Sequence, residues 1–521
     1  MTTPHPMEIE LKLALPQQQA AAFVKRMARR RTLKGTSTLK GTSSARGQQD
    51  LVTRYFDTPD FALSAQGVAL RVRRVGRLWL QTLKTGGERQ GGLSQRAEFE
   101  MPVSRGVPDW SRFPLEALAY VPEALRAQLA PVFETRFHRT AWLIAGKGGA
   151  QIEVALDIGE VVSGERSQPI CEIELELKAG QPDALFALAL DWAAAFDCLP
   201  FDVSKAERGV RLAHGIEDAP VKSVPLALDD GMGVEEGFAA IVQACLAQFQ
   251  ANLPGVLGAD DIEYVHQARV ALRRLRAALR LFRDACALPP ELLDELRALA
   301  AALGSARDWD VLCGETLPAI APHYPDAESW QQGMATLEAR RIAVRTAMRD
   351  ALVQAHPGAW LLAMQRWLLR HGWHSHPEGQ AVPAAQRFVQ LAPLDAWVRR
   401  ALQKGHRPIV RGAREFAALT PARRHLLRIA IKRQRYAAEF FQTLFEGKRQ
   451  ARYLAALRDA QDSLGRANDA HIAAGLLTAA GREAGAMGDF VLGWLAAKQA
   501  DAADGECAGA IRAFLKSKPY W

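Results

Sequence analysis

The chain has 521 residues, 49% hydrophobic and 24% charged, and its 66 Lys and Arg outnumber 57 Asp and Glu to give a net charge of +9. That length exceeds a single core and predicts two to four domains at about 100–200 residues each, and the composition excludes a disordered or fibrous chain. The positive excess points to anionic partners such as nucleic acid, a membrane surface or phosphate-rich molecules, without choosing among them. Six cysteines (Cys171, Cys198, Cys245, Cys286, Cys313, Cys507) show no C-x-x-C spacing. This reads as a reducing compartment with neither a disulfide framework nor a zinc knuckle. No signal peptide is read, and no uncharged apolar run reaches roughly 18 residues, so a cytoplasmic protein without a membrane partner is expected.

Met7–Leu13 reads "MEIELKL", an alternation with the period of a β-strand. Ile9, Leu11 and Leu13 share one face, and Glu8, Glu10 and Lys12 the other. Helical periodicity follows over Gln18–Arg30. Thr32–Gly47, which contains "TLKGTS" twice, reads as a basic loop. Further strands are expected at Leu51–Phe56, Val68–Arg74, Leu78–Lys84, Arg96–Val103, Thr140–Ala145, Gln151–Glu160 and Cys171–Lys178, with a helix at Asp183–Phe196. Sequential β elements with few long crossovers predict an antiparallel sheet or barrel.

The charged face recurs. Arg71 and Arg73 share one, as do Arg96, Glu98 and Glu100, then Glu153 and Asp157, then Glu172, Glu174 and Glu176. A single such strand is ordinarily a solvated face with cross-strand ion pairs. Four in one domain suggest charges turned into a polar tunnel, with apolar faces outward under helices. Clustered carboxylates are hard ligands for Mg²⁺ or Mn²⁺, and Arg and Lys bind phosphate oxygens. A metal–polyphosphate complex needs both, and such a site can hydrolyse a phosphoanhydride.

"EIELK" (Glu8–Lys12), "YFDTP" (Tyr55–Pro59), "LRVRR" (Leu70–Arg74), "LKT" (Leu83–Thr85), "ALDIGEV" (Ala155–Val161), "CEIELEL" (Cys171–Leu177) and "SKAERG" (Ser204–Gly209) stand in the order of the CYTH family, the triphosphate tunnel metalloenzymes. The chain resembles that family over roughly residues 5–215. The resemblance implies an eight-stranded antiparallel tunnel that binds triphosphate with a divalent metal. By the same resemblance Glu8, Glu10, Glu172 and Glu174 bind metal, and Asp157 helps place a second metal or its water. Lys12, Arg71, Arg73, Lys84, Arg139 and Lys205 grip phosphates, with Arg208 as a further candidate. Glu98 matches a family acid, although Glu100 shares its face, and Arg136 stands as the alternative to Arg139.

A Pro-containing linker at residues 219–233 separates a region of 1–218 from one of 234–521, where long helical periodicity replaces strands. That half repeats itself. "VHQARVALRRLRAALRLF" (Val265–Phe282) matches "RHLLRIAIKRQRYAAEFF" (Arg424–Phe441), and "LGSARDWDV" (Leu303–Val311) matches "LGRANDAHI" (Leu464–Ile472) in the same order. An internal duplication follows, read as two helical bundles about a pseudo-twofold axis. The predicted class is therefore α+β, a barrel followed by an all-α domain. His266, Arg269, Arg273 and Arg276 line one helical face, and His425, Arg428, Lys432 and Arg435 its repeat. Like charges at this spacing disfavour a helix by about 0.2–0.5 kcal/mol per pair, so two such stripes suggest an anionic ligand. Both repeats resemble the CHAD domain, which implies binding of inorganic polyphosphate. The second departs at Gln434 and Glu439, which shortens its stripe.

Together the resemblances imply an inorganic triphosphatase joined to a polyphosphate-binding domain. A thiamine- or nucleoside-triphosphatase, or a non-catalytic polyphosphate-binding protein, stand as alternatives. "HGWHSHP" offers His371, His374 and His376, but no acid or cysteine lies beside it in sequence, and no metal site is assigned. The Trp residues of the helical half sit in apolar contexts that read as packing, which argues against nucleic acid.

Overall fold

The computed structural model describes residues 7–29, 46–375, 380–502 and 505–521. The expected loop at Thr32–Gly47, up to residue 45, and His376 lie outside the described residues. The chain divides into two compact units. One runs to Ala219 and includes His356–Arg370; the other comprises Pro220–Ala355 and His371–Trp521. Among the described residues, no helix is long and apolar enough to cross a membrane.

The first unit is built on one antiparallel sheet of strands β1 (Met7–Ala14), β2 (Arg46–Asp57), β3 (Ala69–Val75), β4 (Leu78–Lys84), β5 (Glu88–Gln90), β6 (Leu93–Val103), β7 (Ala130–Ala145), β8 (Gln151–Ser163), β9 (Arg166–Ala179) and β10 (Leu199–Pro200). Eight strands close in the order β1–β9–β8–β7–β2–β3–β4–β6, with β6 pairing back to β1. The eight expected strands are these eight. The short β5 extends β6 as a hairpin, and β10 lies against β1.

The alternation does what the sequence predicts. In β1, Leu11 and Leu13 are fully buried on the outer surface of the barrel, where they meet Phe23 of the helix Ala20–Ala28 and Trp192 of the helix Asp183–Phe196. A second outer layer packs Leu70, Val72, Leu83 and Phe99 under Phe113, Ala117 and Val121. The interior is charged because the apolar faces are the ones that helices cover. Register then sets opposite charges side by side: Glu8 pairs with Arg96, Lys84 with Glu98, Lys12 with Glu174, and Arg139 with Asp157.

The helix Lys205–His214 packs on the inner face of β7. Ser204 caps it, accepting from the Glu207 backbone N–H while the Glu207 side chain accepts in return. Gly209 permits the approach, because a Cβ there would fall 2.0 Å from the Phe133 ring.

In the second unit each repeat contributes three consecutive packed helices: Val234–Gly258, Ile262–Leu281 and Pro290–Val311, then Leu394–Arg414, Pro421–Phe440 and Lys448–Ala480. The two stripe-bearing helices meet directly. Arg274 lies 3.6 Å from Glu439, and the Arg273 guanidinium sits 5.7 Å above the Tyr436 ring.

Gly209→Val forces two added methyls into the Phe133 ring, which its strand holds in place. Overpacking of this kind costs about 1–3 kcal/mol. The melting temperature of the full-length protein is expected to fall by about 2–4 °C per kcal/mol; an unchanged Tm in scanning calorimetry contradicts the packing described.

Candidate active site

The barrel encloses a cavity of ≈ 440 Å³ lined by side chains from all eight closing strands and by Ser204, Lys205 and Ala206. Two charge networks occupy its wall. In the first, Lys84 donates to both Glu8 oxygens at 2.7 Å and reaches Glu98 at 3.3 Å. Arg96 donates to Glu8 at 3.1 Å and lies 3.9 Å from Glu10, while Arg71 reaches Glu98 at 3.4 Å. In the second, Arg139 donates to the two Asp157 oxygens at 2.7 and 2.6 Å and also to Glu174. Lys205 donates to Asp157 and Glu174 at 2.7 Å each, and to Glu172. Lys12 joins the two networks, 3.6 Å from Glu10, 3.9 Å from Glu172 and 3.8 Å from Glu174.

These contacts set the electrostatics. Burial would raise the Glu8 carboxyl, yet Lys84 and Arg96 hold it well below the ordinary range. Against the same burial, Arg139 and Lys205 keep Asp157 and Glu174 low. Glu10 goes the other way, raised by burial and by Glu174. Arg73 differs from the rest. Its hydrogen bond goes to the neutral Thr53 hydroxyl at 3.1 Å, and it has no ion pair among the described residues. Burial, with Arg71 and Arg139 beside it, pulls its guanidinium down to about 10. The Arg71 Nε is buried without a hydrogen-bond partner. The site thus holds an uncompensated cationic spot next to two compensated networks, an arrangement suited to an anion with several charged oxygens.

Asp157, Glu172 and Glu174 each bring an oxygen within 4.8 Å of the others. This donor set is made only of hard carboxylate oxygens and fits a small dication such as Mg²⁺ or Mn²⁺. Asp157 and Glu172 lie behind the cavity wall, whereas Glu174, Glu8 and Glu10 face it.

Of the residues expected in the tunnel, all line the cavity except Asp157, Glu172 and Arg208. Arg208 does not line the cavity; it donates to Glu172 at 3.3 Å and to the Pro169 carbonyl, bracing β9 from behind. Arg139 is inside, while Arg136 is exposed and pairs with Glu134. Glu98 binds Arg71 and Lys84, while the more exposed Glu100 accepts from Thr82 at 3.2 Å. Sequence reasoning omitted three residues from the site. Arg96, buried between Glu8 and Glu10, shares the noted face of Glu98. Glu153 and Glu176 also line the cavity, and they are cross-strand neighbours.

The helical stripes carry less compensation. Burial and Arg307 keep the His266 imidazole neutral to lower pH than usual, and burial with Arg273, Arg428 and Arg435 brings Lys432 down to about 8. Arg276 and His425 are exposed, and the Arg428 Nε is buried without a partner. Arg269 lies against Gly304, where a Cβ would sit 3.2 Å from its guanidinium. Glu439 draws off Arg435 at 2.5 Å, so the second stripe is effectively His425, Arg428 and Lys432. His374 does have an acid: Glu235 brings its Oε2 within 2.5 Å, and the same oxygen accepts from Trp373.

Residues 6–210 match the CYTH domain family and residues 240–478 the CHAD domain family. A CYTH-family domain is thus followed by a CHAD-family domain, a tunnel followed by a helical unit. It is 34% identical over 206 residues to an inorganic triphosphatase of Haemophilus influenzae, covering 39% of this chain and 54% of that protein. It is 29% identical over 295 residues to an uncharacterized protein of Mycobacterium tuberculosis, covering 53% of this chain and 55% of the relative. The chain thus spans about half the length of the curated relatives it matches. The crystal structure of the CHAD domain from the plant Ricinus communis is 34% identical, with a TM-score of 0.50, over 58% of this chain and 99% of that one.

Burial also pushes Glu176 up to about 7, against the pull of Lys178. A carboxyl raised from its ordinary 4.5 stabilises the fold when protonated, and that contribution is lost as pH rises through 7. Glu176→Gln in metal-free protein is therefore expected to raise Tm relative to wild type at pH 8 and to leave the difference near zero at pH 5. Equal differences at both pH values contradict this.

Proposed function

We propose that the tunnel hydrolyses inorganic triphosphate with Mg²⁺ or Mn²⁺, and that the helical unit binds inorganic polyphosphate in the cytoplasm. The observation that carries the first part is Arg73, a half-buried guanidinium beside Arg71 and Arg139 that has no ion pair among the described residues and only the more distant pull of Glu100 to offset them. An anion with charge on several oxygens supplies that balance. The relative from Haemophilus influenzae, 34% identical over 206 residues of this chain, carries a name that states inorganic triphosphatase.

In this reading Arg71, Arg73, Lys84 and Arg139 hold the phosphate oxygens, and Lys12 and Lys205 stand between substrate and carboxylates. Glu8, Glu10, Glu172, Glu174 and Asp157 hold the metal. A bound dication supplies the Lewis-acid charge that polarises a phosphoryl oxygen and acidifies water. Glu98 orients Arg71 and Lys84 from the same wall, at 3.4 and 3.3 Å. The cations need little rearrangement, because cross-strand partners already fix them, which is how preorganised charge stabilises a transition state. The cavity wall is dominated by charged side chains, so inorganic triphosphate is the substrate proposed. Arg208 acts here by holding Glu172 and the Pro169 carbonyl of β9.

Steady-state hydrolysis of tripolyphosphate, ATP and thiamine triphosphate with each metal tests this directly. Tripolyphosphate is expected to give the highest kcat/KM. A preference for either organic triphosphate replaces the substrate, and absent turnover of all three removes the enzyme. Glu8→Gln and Glu10→Gln are each expected to lower turnover by about 100-fold or more, beyond the effect typical of groups that merely support a ligand. Near-wild-type rates at limiting metal contradict their role.

For the helical unit, the stripes on two packed helices support a polyanion track. Arg269→Ala with Arg273→Ala in the full chain is expected to weaken polyphosphate binding by about tenfold or more and to reduce the salt slope. Affinity is also expected to fall as pH rises above about 8, where Lys432 loses its proton. Calorimetry against a DNA oligomer at matched salt decides the ligand; tighter DNA binding overturns polyphosphate.

A further inference from the structure

We infer that the helix Pro357–Leu369, although its sequence lies inside the helical half, is a positioning element of the tunnel that sets Lys12 through the turn Gly91–Gly92. The inference rests on the proposed binding of triphosphate by the tunnel. The helix belongs to the first compact unit. Arg366 grips Asp183 with two hydrogen bonds of 2.7 and 2.8 Å, and Leu362 is fully buried in the core behind β1.

Besides the helix Asp183–Phe196, this helix touches two segments that hold the Lys12 backbone. At its first turn, Gly358 lies so close to the chain before β10 that a Cβ would fall 1.9 Å from the Cys198 carbonyl oxygen. Just after β10, Phe201 N–H donates to the Lys12 carbonyl at 3.0 Å. Two turns further along the helix, Gln365 abuts the turn between β5 and β6. A Cβ on Gly91 would fall 2.2 Å from Gln365 Cγ, and one on Gly92 would fall 2.7 Å from the Lys12 carbonyl oxygen. The Lys12 N–H donates to the Gly92 carbonyl at 2.9 Å, and the Gly92 N–H donates to Asp202 at 2.6 Å. Both glycines have left-handed backbones, φ +61° and +87°, a conformation glycine adopts without strain.

Each backbone group of Lys12 is thus tied to a segment that rests on this helix. The Lys12 amine in turn sits among Glu10, Glu172 and Glu174, where a shift well under 1 Å changes every contact. A helix anchored at both ends in the other half of the sequence therefore determines where a tunnel cation stands. Gln365 and Gly91 are positioning residues; neither lines the cavity.

The test compares Gly91→Ala, Gln365→Ala and the double variant in the full-length protein, reading KM and kcat for tripolyphosphate and, in parallel, its Kd by calorimetry. Gly91→Ala pushes the turn against Gln365, and KM and Kd are expected to rise about fivefold or more, with kcat within about twofold. Removing the Gln365 side chain opens the space, so the double variant is expected to recover most of the affinity. Unchanged KM and Kd in Gly91→Ala overturn the inference. So does a loss that the double variant fails to recover, since strain at Gly91 alone then explains it. Wild-type binding without turnover defeats hydrolysis but leaves the Kd comparison decisive; wild type that binds no tripolyphosphate overturns both.

Discussion

Buried charge needs a partner, and the first unit of this protein is organised around supplying one. Removing one member of a buried ion pair typically costs about 3–5 kcal/mol, because the other charge stays behind without water. Inside the barrel the partner is provided by strand register. Glu8 stands opposite Arg96, Lys84 opposite Glu98, and Arg139 opposite Asp157. A slip of one residue between any two strands turns every charge outward and every leucine inward. Arg73 departs from the pattern, with Thr53 where the others have a carboxylate. Arg73 lines the cavity, where a ligand can complete the pattern.

An interior charged over much of its wall keeps only a small apolar cluster, Leu51, Tyr55, Phe133 and Phe137 under the helix Lys205–His214, so most of the apolar surface must be buried on the outside. Leu11, Leu13, Ile152, Val154, Ile173 and Leu175 do this against Phe23, Trp192 and Phe196. At about 25 cal/mol per Å² of buried apolar surface, this outer shell is the main favourable contribution to the unit. The demand for cover also explains why a helix from residues 357–369 is drawn into it: Leu362 closes part of the shell. Function and stability are thus partitioned by face, the inner residues free to be polar because the outer ones hold the strands.

The helical unit manages charge differently. Its stripes lie on helix surfaces, where repulsion is tolerated at a few tenths of a kcal/mol per pair, and neighbours from the other repeat modulate it. Glu439, which takes the place of Arg280, gathers Arg274, Arg435 and Arg458. One substitution between the repeats therefore gives two stripes of unequal length.

Alternation along β1, β3, β6, β8 and β9 is a local property, and it was enough to place the strands, to separate charged from apolar faces and to anticipate a polar interior. Motif order likewise carried the family, and the repeat carried the duplicated helices. The helix Lys205–His214 was not among the expected elements, although Ser204 and Glu207 have the spacing of a capping box. What could not be read depends on residues far apart in the chain. Arg136 and Arg139 lie on opposite faces of one strand, and pairing with β8 sets Arg139 against Asp157. Glu98 and Glu100 share a face, but depth along a closed barrel follows from strand stagger. Arg208 turns away because Glu172 and Pro169 capture it, and His374 finds Glu235 from 139 residues away. Periodicity along the chain sets which way a side chain points; which charge it meets is set by closure of the sheet and packing of helices, and those are non-local.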